Sequence, residues 1–146
     1  MATGTFKWFR GGLKHAVSGD LNWPTDTFKV LLTTSAYTPN QDTHEFRSSV
    51  TNEVSGTGYT AGGAALANKS VGVATSKIAR LIADDVALTG STIASARTAV
   101  VYKVVGTAAT DILLGYATVD ADTSSSSGTM TLDFDNTNGI LTLTAS

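Results

Sequence analysis

Hydrophobic and polar positions alternate with a period of two along most of this chain, which predicts strands rather than helices. Residues 27–34 are the clearest case. Phe28, Val30 and Leu32 alternate with Lys29 and Leu31, so one face is wholly apolar. Residues 97–105 carry apolar side chains on both faces, the pattern of a central strand. A turn at 106–111 returns the chain through 112–119 as its hairpin partner. Residues 129–134 alternate cleanly, with Met130, Leu132 and Phe134 opposite Thr129, Thr131 and Asp133, and Asn138-Gly139 is a hairpin turn signal ahead of 140–144. Shorter strand patterns occupy 65–74, 77–83 and 86–88, with turns at Asp84-Asp85 and Gly90-Ser91. The tract DADTSSSSG at 120–128 reads as a flexible polar loop.

A 3.6-residue period fits one segment only. Phe6, Phe9, Leu13 and Val17 fall on one helical face of residues 5–17, with Lys7, Arg10 and Lys14 on the other side. Gly11 and Gly12 weaken that helix by roughly 1 kcal/mol each, so it needs a surface to pack on. Trp23-Pro24 forces extended backbone within a turn region. Residues 35–54 are polar, with a turn over 37–40 and one helical turn over 43–49 capped by Thr43. The spacing of strands and turns predicts an all-β, single-domain β-sandwich or jelly-roll-like fold. It carries a short N-terminal helix or arm (1–19) and a long contact loop (35–63).

Composition narrows the function. At 146 residues the chain forms one domain and buries a sizeable core. Cysteine is absent, which excludes disulfides and thiolate metal sites. The N-terminus lacks the apolar run of a signal peptide, and no stretch is long enough to span a bilayer. Only 15% of residues are charged and the net charge is −2, a surface suited to protein contact rather than to nucleic acid, whose phosphates demand many cations. The cations Lys7, Arg10 and Lys14 precede any acid, and no Lys or Arg follows Lys103. A basic start and an acidic end could pair between copies, although exposed pairs are individually weak.

Candidate chemistry is sparse. Gly56, Gly58, Gly62 and Gly63 crowd around Tyr59, but no strand-loop-helix context supports a phosphate cradle. The glycines instead supply positive φ and close backbone approach where the chain enters the sheet, and Tyr59 anchors the run through its ring and hydroxyl. His44 and Glu45 are adjacent and point apart, with no second histidine near in sequence. Loop aspartates match no calcium-loop spacing and lie among Thr and Ser rather than in the apolar pocket a glycosidase acid requires. No catalytic, metal or cofactor site is expected.

Residues 28–66 go further. Leu32–Ser35, the Tyr37-Thr38-Pro39 turn, Asp42-Thr43-His44 and above all NEVSGTGYTAGG at 52–63 resemble a recurrent family of small structural proteins of tailed bacteriophages. Residues 99–102 and Leu114-Gly115-Tyr116 are similar to its paired strands. The resemblance implies a non-enzymatic virion protein made in the host cytoplasm. The first expectation is a capsid decoration, or cement, protein bound to the major capsid protein on the shell's outer surface and self-associating as a dimer or trimer. A tail or head-fibre component is the alternative, and a carbohydrate-binding β-sandwich is the rival from another class. Neither nucleic acid nor membrane is an expected partner. Lys7, Trp8, Phe9, Arg10, His44, Phe46 and Arg47 are the expected contact residues, since aromatics and arginine are enriched where proteins meet.

Overall fold

The computed structural model describes residues 2–74, 78–134 and 140–145. In chain order these form β1 (Ala2–Thr5), β2 (Lys7–Trp8), α1 (Arg10–Val17), β3 (Phe28–Thr33), β4 (Gly56–Thr57) and β5 (Ala64–Ala65). There follow β6 (Ser70–Ala74), β7 (Ile78–Ile82), β8 (Val86–Lys103), β9 (Ile112–Phe134) and β10 (Ile140–Ala145). Eight strands make one antiparallel sheet in the order β1-β10-β9-β8-β3-β5, with β2 also pairing β9 and β4 pairing β8. β6 and β7 form a separate two-stranded ribbon, tied to the body where the Trp23 indole donates to the Ile82 carbonyl at 3.0 Å.

The β8–β9 hairpin is the spine. Its register shifts repeatedly between Leu88 and Thr98, and such irregularities bend a strand pair. Ala99 and Val101 beyond the shifts, and Ile93, Met130 and Leu132 before or opposite them, share one apolar cluster with Trp23, Phe28, Val30 and Leu32. The two ends of the hairpin therefore enclose a common core, giving the β-sandwich-like architecture that the alternation predicts.

The middle of the hairpin departs from expectation. Residues 120–128 form the centre of β9 rather than a loop, and Gly90-Ser91 lies inside β8 rather than in a turn. Hydroxyls explain both. The Ile93 N–H donates to Ser125 Oγ at 3.2 Å, the Ser95 N–H to Ser124 Oγ at 2.9 Å and the Ser127 N–H to Thr92 Oγ1 at 3.0 Å. Side chains thus take over backbone amides around the slips between Ser91 and Ala96, and the buried Ser91 and Ser125 hydroxyls bond each other at 2.7 Å.

The N-terminal segment departs as well. The helix starts at Arg10, and residues 2–8 are mostly strand. Lys7 and Trp8 pair Tyr116 and Gly115, and the Phe9 N–H donates to the Leu114 carbonyl at 3.1 Å. The predicted apolar stripe is not what α1 buries. Leu13 is 48% and Val17 89% exposed, whereas Gly12 is buried against the Leu113 and Leu114 carbonyls so tightly that no Cβ would fit. The glycine that weakens the helix in isolation is what lets it seat on the sheet. In the loop beyond, the helical turn is a 3-10 turn at Arg47–Ser49, and Asn40 rather than Thr43 caps the preceding bend, its Oδ1 accepting from the Asp42 and Thr43 N–H groups. The Asn138-Gly139 turn lies outside the described residues.

A second cluster, of Phe9, Leu31, Tyr37, Val100, Tyr102, Leu113 and Tyr116, occupies the opposite face of the central strands. Leu31 and Val100 need this second cover because their neighbours already face the main core.

Candidate functional site

The glycine run closes the fold. β4 pairs Ile93 and Thr92 on the first half of β8, and β5 pairs Val30 and Lys29 of β3, which itself lies on the second half of β8. Residues 56–65 therefore cross from one end of the bent hairpin to the other. Gly56, Gly58, Gly62 and Gly63 all have positive φ (150°, 77°, 89° and 82°). Gly56 and Gly63 also press on the Thr92 and Val30 carbonyls, leaving no room for a Cβ.

Glu53 and Tyr59 brace the crossing. Glu53 Oε1 accepts from the Tyr59 hydroxyl at 2.7 Å and from the Gly62 N–H at 2.6 Å. The same hydroxyl accepts the Leu32 N–H at 3.1 Å, and the Tyr102 hydroxyl donates to the Gly62 carbonyl at 2.5 Å. Burial first, and the Glu53 carboxylate second, push the Tyr59 phenol far above its ordinary value, so it stays protonated and donating. The Tyr59→Phe variant leaves the Leu32 N–H without its acceptor and removes one donor from Glu53. It is expected to lose about 1–3 kcal/mol in urea denaturation. An unchanged midpoint would mean the hydroxyl does not brace the joint.

The two expected contact regions meet on the opposite face. The Arg10 N–H donates to the Gln41 carbonyl at 2.8 Å, and Gln41 Nε2 donates to the Trp8 carbonyl at 2.8 Å. Glu45 Oε1 receives Lys14 Nζ and His15 Nε2, each at 2.9 Å, while His15 Nδ1 lies 2.8 Å from Asp20 Oδ2. Hydrogen bonds from Lys14 and then His15 hold the Glu45 carboxyl below the usual carboxylate range. His15 is thus the second histidine that is not near in sequence but lies close in space. Only three-dimensional packing brings it to Glu45, across 30 residues.

Each expected contact residue has a definite place. Lys7 and Arg10 are exposed and Trp8 is half-buried, its ring edge-on to Phe6. Phe9 is fully buried, 4.9 Å from the Tyr116 ring, and belongs to the core rather than to a contact surface. His44 Nδ1 accepts from the Tyr37 hydroxyl at 3.0 Å and from the Asn40 N–H at 3.3 Å. Burial lowers the His44 pKa and favours this neutral form. The Tyr37 phenol is pushed up to about 12 by burial and by Tyr116. Phe46 is half-buried beside His15.

Arg47 is tied down. Its Nε donates to Asp111 Oδ2 at 2.8 Å, and its guanidinium lies 5.2 Å from the centre of the Tyr102 ring. Asp111, 2% exposed, also accepts the Val105 and Gly106 N–H groups at 2.8 and 3.0 Å. Its only sequence signal is a place at the end of a turn just before an apolar run.

The outer edge of α1 stays exposed on this surface, although Lys14 on it is paired with Glu45. Arg10, Leu13, Lys14 and Val17 follow one another at i, i+3, i+4 and i+7 and are all exposed. Among the described residues no group of three or more acids and histidines could hold a metal ion, and no helix is long and apolar enough to cross a membrane. No family model, curated protein or solved structure matches the chain.

Proposed function

We propose that this chain is a non-enzymatic structural protein of a tailed-bacteriophage virion, a decoration protein that binds the outer surface of the assembled major capsid shell and stabilises it. One observation carries the reading. The residues that bear the family resemblance, 52–63, are those whose identities the closing joint demands: Glu53, Gly56, Tyr59, Gly62 and Gly63. The likeness therefore falls on residues that determine a shape rather than on interchangeable loop positions. A chain that binds only the assembled shell stabilises it by mass action, and repetition over the shell multiplies weak contacts into avidity. Self-association as a dimer or trimer belongs to the same reading, since closed symmetric assemblies suit a symmetric shell.

The outer edge of α1 is the docking surface in this proposal. It offers two apolar side chains, Leu13 and Val17, with the exposed Arg10 beside them and the Lys14–Glu45 ion pair at their border, and so fits an apolar surface that sets an acidic group opposite Arg10. Val17→Asp combined with Arg10→Glu alters only exposed positions and is expected to leave the far-ultraviolet circular dichroism unchanged. Co-sedimentation with undecorated shells should weaken about tenfold or more. Parent-like binding would place the contact elsewhere. If the parent binds purified tails and ignores shells, the station is the tail.

A further inference from the structure

A groove of about 770 Å³ opens between the β1–β2 segment and residues 35–39, over the β8–β9 pair. Most of the residues that line it carry hydroxyls, and none of them belongs to α1. The Thr98 and Thr118 hydroxyls bond each other at 3.0 Å across the paired strands. Arg97 and Asp120 flank them, and Lys7 stands at the margin.

Three ligand classes fit poorly. An anion would meet the Asp120 carboxylate, and Arg97 is already paired with Asp122 at 3.1 Å. An added peptide strand would need free backbone donors. The Thr3 N–H is held by Asp120 Oδ1 at 3.2 Å, and Thr98 and Thr118 lie in strands already paired with each other. A flat aromatic group would need a stacking surface. The tyrosines lining the groove, Tyr37 and Tyr116, are 4% and 7% exposed, too little to stack a ring on.

What the lining matches is a neutral polyhydroxylated ligand. Threonine hydroxyls both donate and accept, the Arg97 guanidinium keeps N–H donors beyond the Nη1 that Asp122 holds, and Asp120 keeps Oδ2 as an acceptor beyond the Oδ1 that Thr3 holds, which is the complement of neighbouring sugar hydroxyls. We propose that this groove binds a neutral sugar unit of a glycan, with Arg97, Thr118 and Asp120 as its polar contacts and Lys7 at its edge. The volume lies within the range of small-ligand sites. Without an aromatic platform the affinity of one site is weak, with Kd about 1 mM.

The test uses the isolated protein, so its outcome does not depend on the capsid role. Amide NMR shifts are followed while neutral oligosaccharides of glucose, galactose, mannose and N-acetylglucosamine are added, with inorganic phosphate and an acidic peptide as parallel probes. At least one neutral sugar should give saturable shifts confined to residues 3–5, 35–39, 97–98 and 116–120. Thr118→Val and Lys7→Ala should each weaken that response, Thr118→Val by about tenfold, while amides elsewhere keep the parent's shifts. Silence with every neutral sugar, shifts centred elsewhere, a response to phosphate or peptide alone, or parent-like affinity in both variants would each overturn the assignment.

Discussion

Gly63→Ala is expected to destabilise the protein by roughly 3–5 kcal/mol, the upper range for a single substitution. Two costs combine. The backbone at Gly63 has φ 82°, which costs an L-residue about 1–2 kcal/mol. The new Cβ would also collide with the Val30 carbonyl, a backbone atom of a central strand that cannot swing aside as a side chain could. Two other glycines separate these costs. Gly19 has φ 85° and open space around it, so Gly19→Ala carries the strain alone, about 1–2 kcal/mol. Gly106 has open space and no positive φ, so Gly106→Ala should fall within about 0.5 kcal/mol of the parent. Urea denaturation of the three variants should rank them Gly63, Gly19, Gly106. A Gly63→Ala loss no larger than that of Gly19→Ala would mean that the joint yields without disturbing β3.

The second large effect is expected at Asp111. Burial alone would push its carboxyl up, but the Gly106 and Val105 N–H groups and the Arg47 guanidinium outweigh burial and hold it below its ordinary value. Asp111→Ala removes the acceptor of three hydrogen bonds and should cost about 2–3 kcal/mol. That is less than the loss on breaking a fully buried pair, because Arg47 is partly exposed and rehydrates. The pH dependence follows from the direction of the shift. A depressed folded pKa means that the unfolded chain binds the proton more readily. The stabilisation is therefore complete above the unfolded value, about 3.9, and is lost as pH falls through the folded value. Denaturation midpoints measured from neutral pH down to pH 2 should drop below about pH 4 in the parent and less steeply in Asp111→Asn. Asp26 and Glu45, also lowered, leave a residual slope. Identical slopes would mean that Asp111 does not carry the acid sensitivity.

Local patterning made much of this protein legible. The alternation in 27–34, 97–105 and 129–134 points directly to β3, β8 and β9, because burial on a pleated strand repeats every two residues. The glycine joint was equally readable. Positive φ is a property of single residues, and all four glycines adopt it. Tyr59 anchors the joint through its hydroxyl, as its position among the glycines predicts.

Tertiary structure decided the rest, wherever a residue's role depends on what lies across from it. The serine tract 120–128 is too polar to declare a strand. It becomes one because Ser91, Thr92, Ser95 and the Ile93 amide on β8 supply partners for its hydroxyls and backbone. Gly12 reads as a helix breaker until the Leu114 carbonyl is placed against it, and the apolar stripe of α1 reads as buried until that close seat turns Leu13 and Val17 outward. Arg47 resembles a free contact residue until Asp111, 64 positions later, pins it. Short-range periodicity is written in neighbouring residues, whereas pairing across the fold is set by which backbone segments can approach closely enough to exclude water.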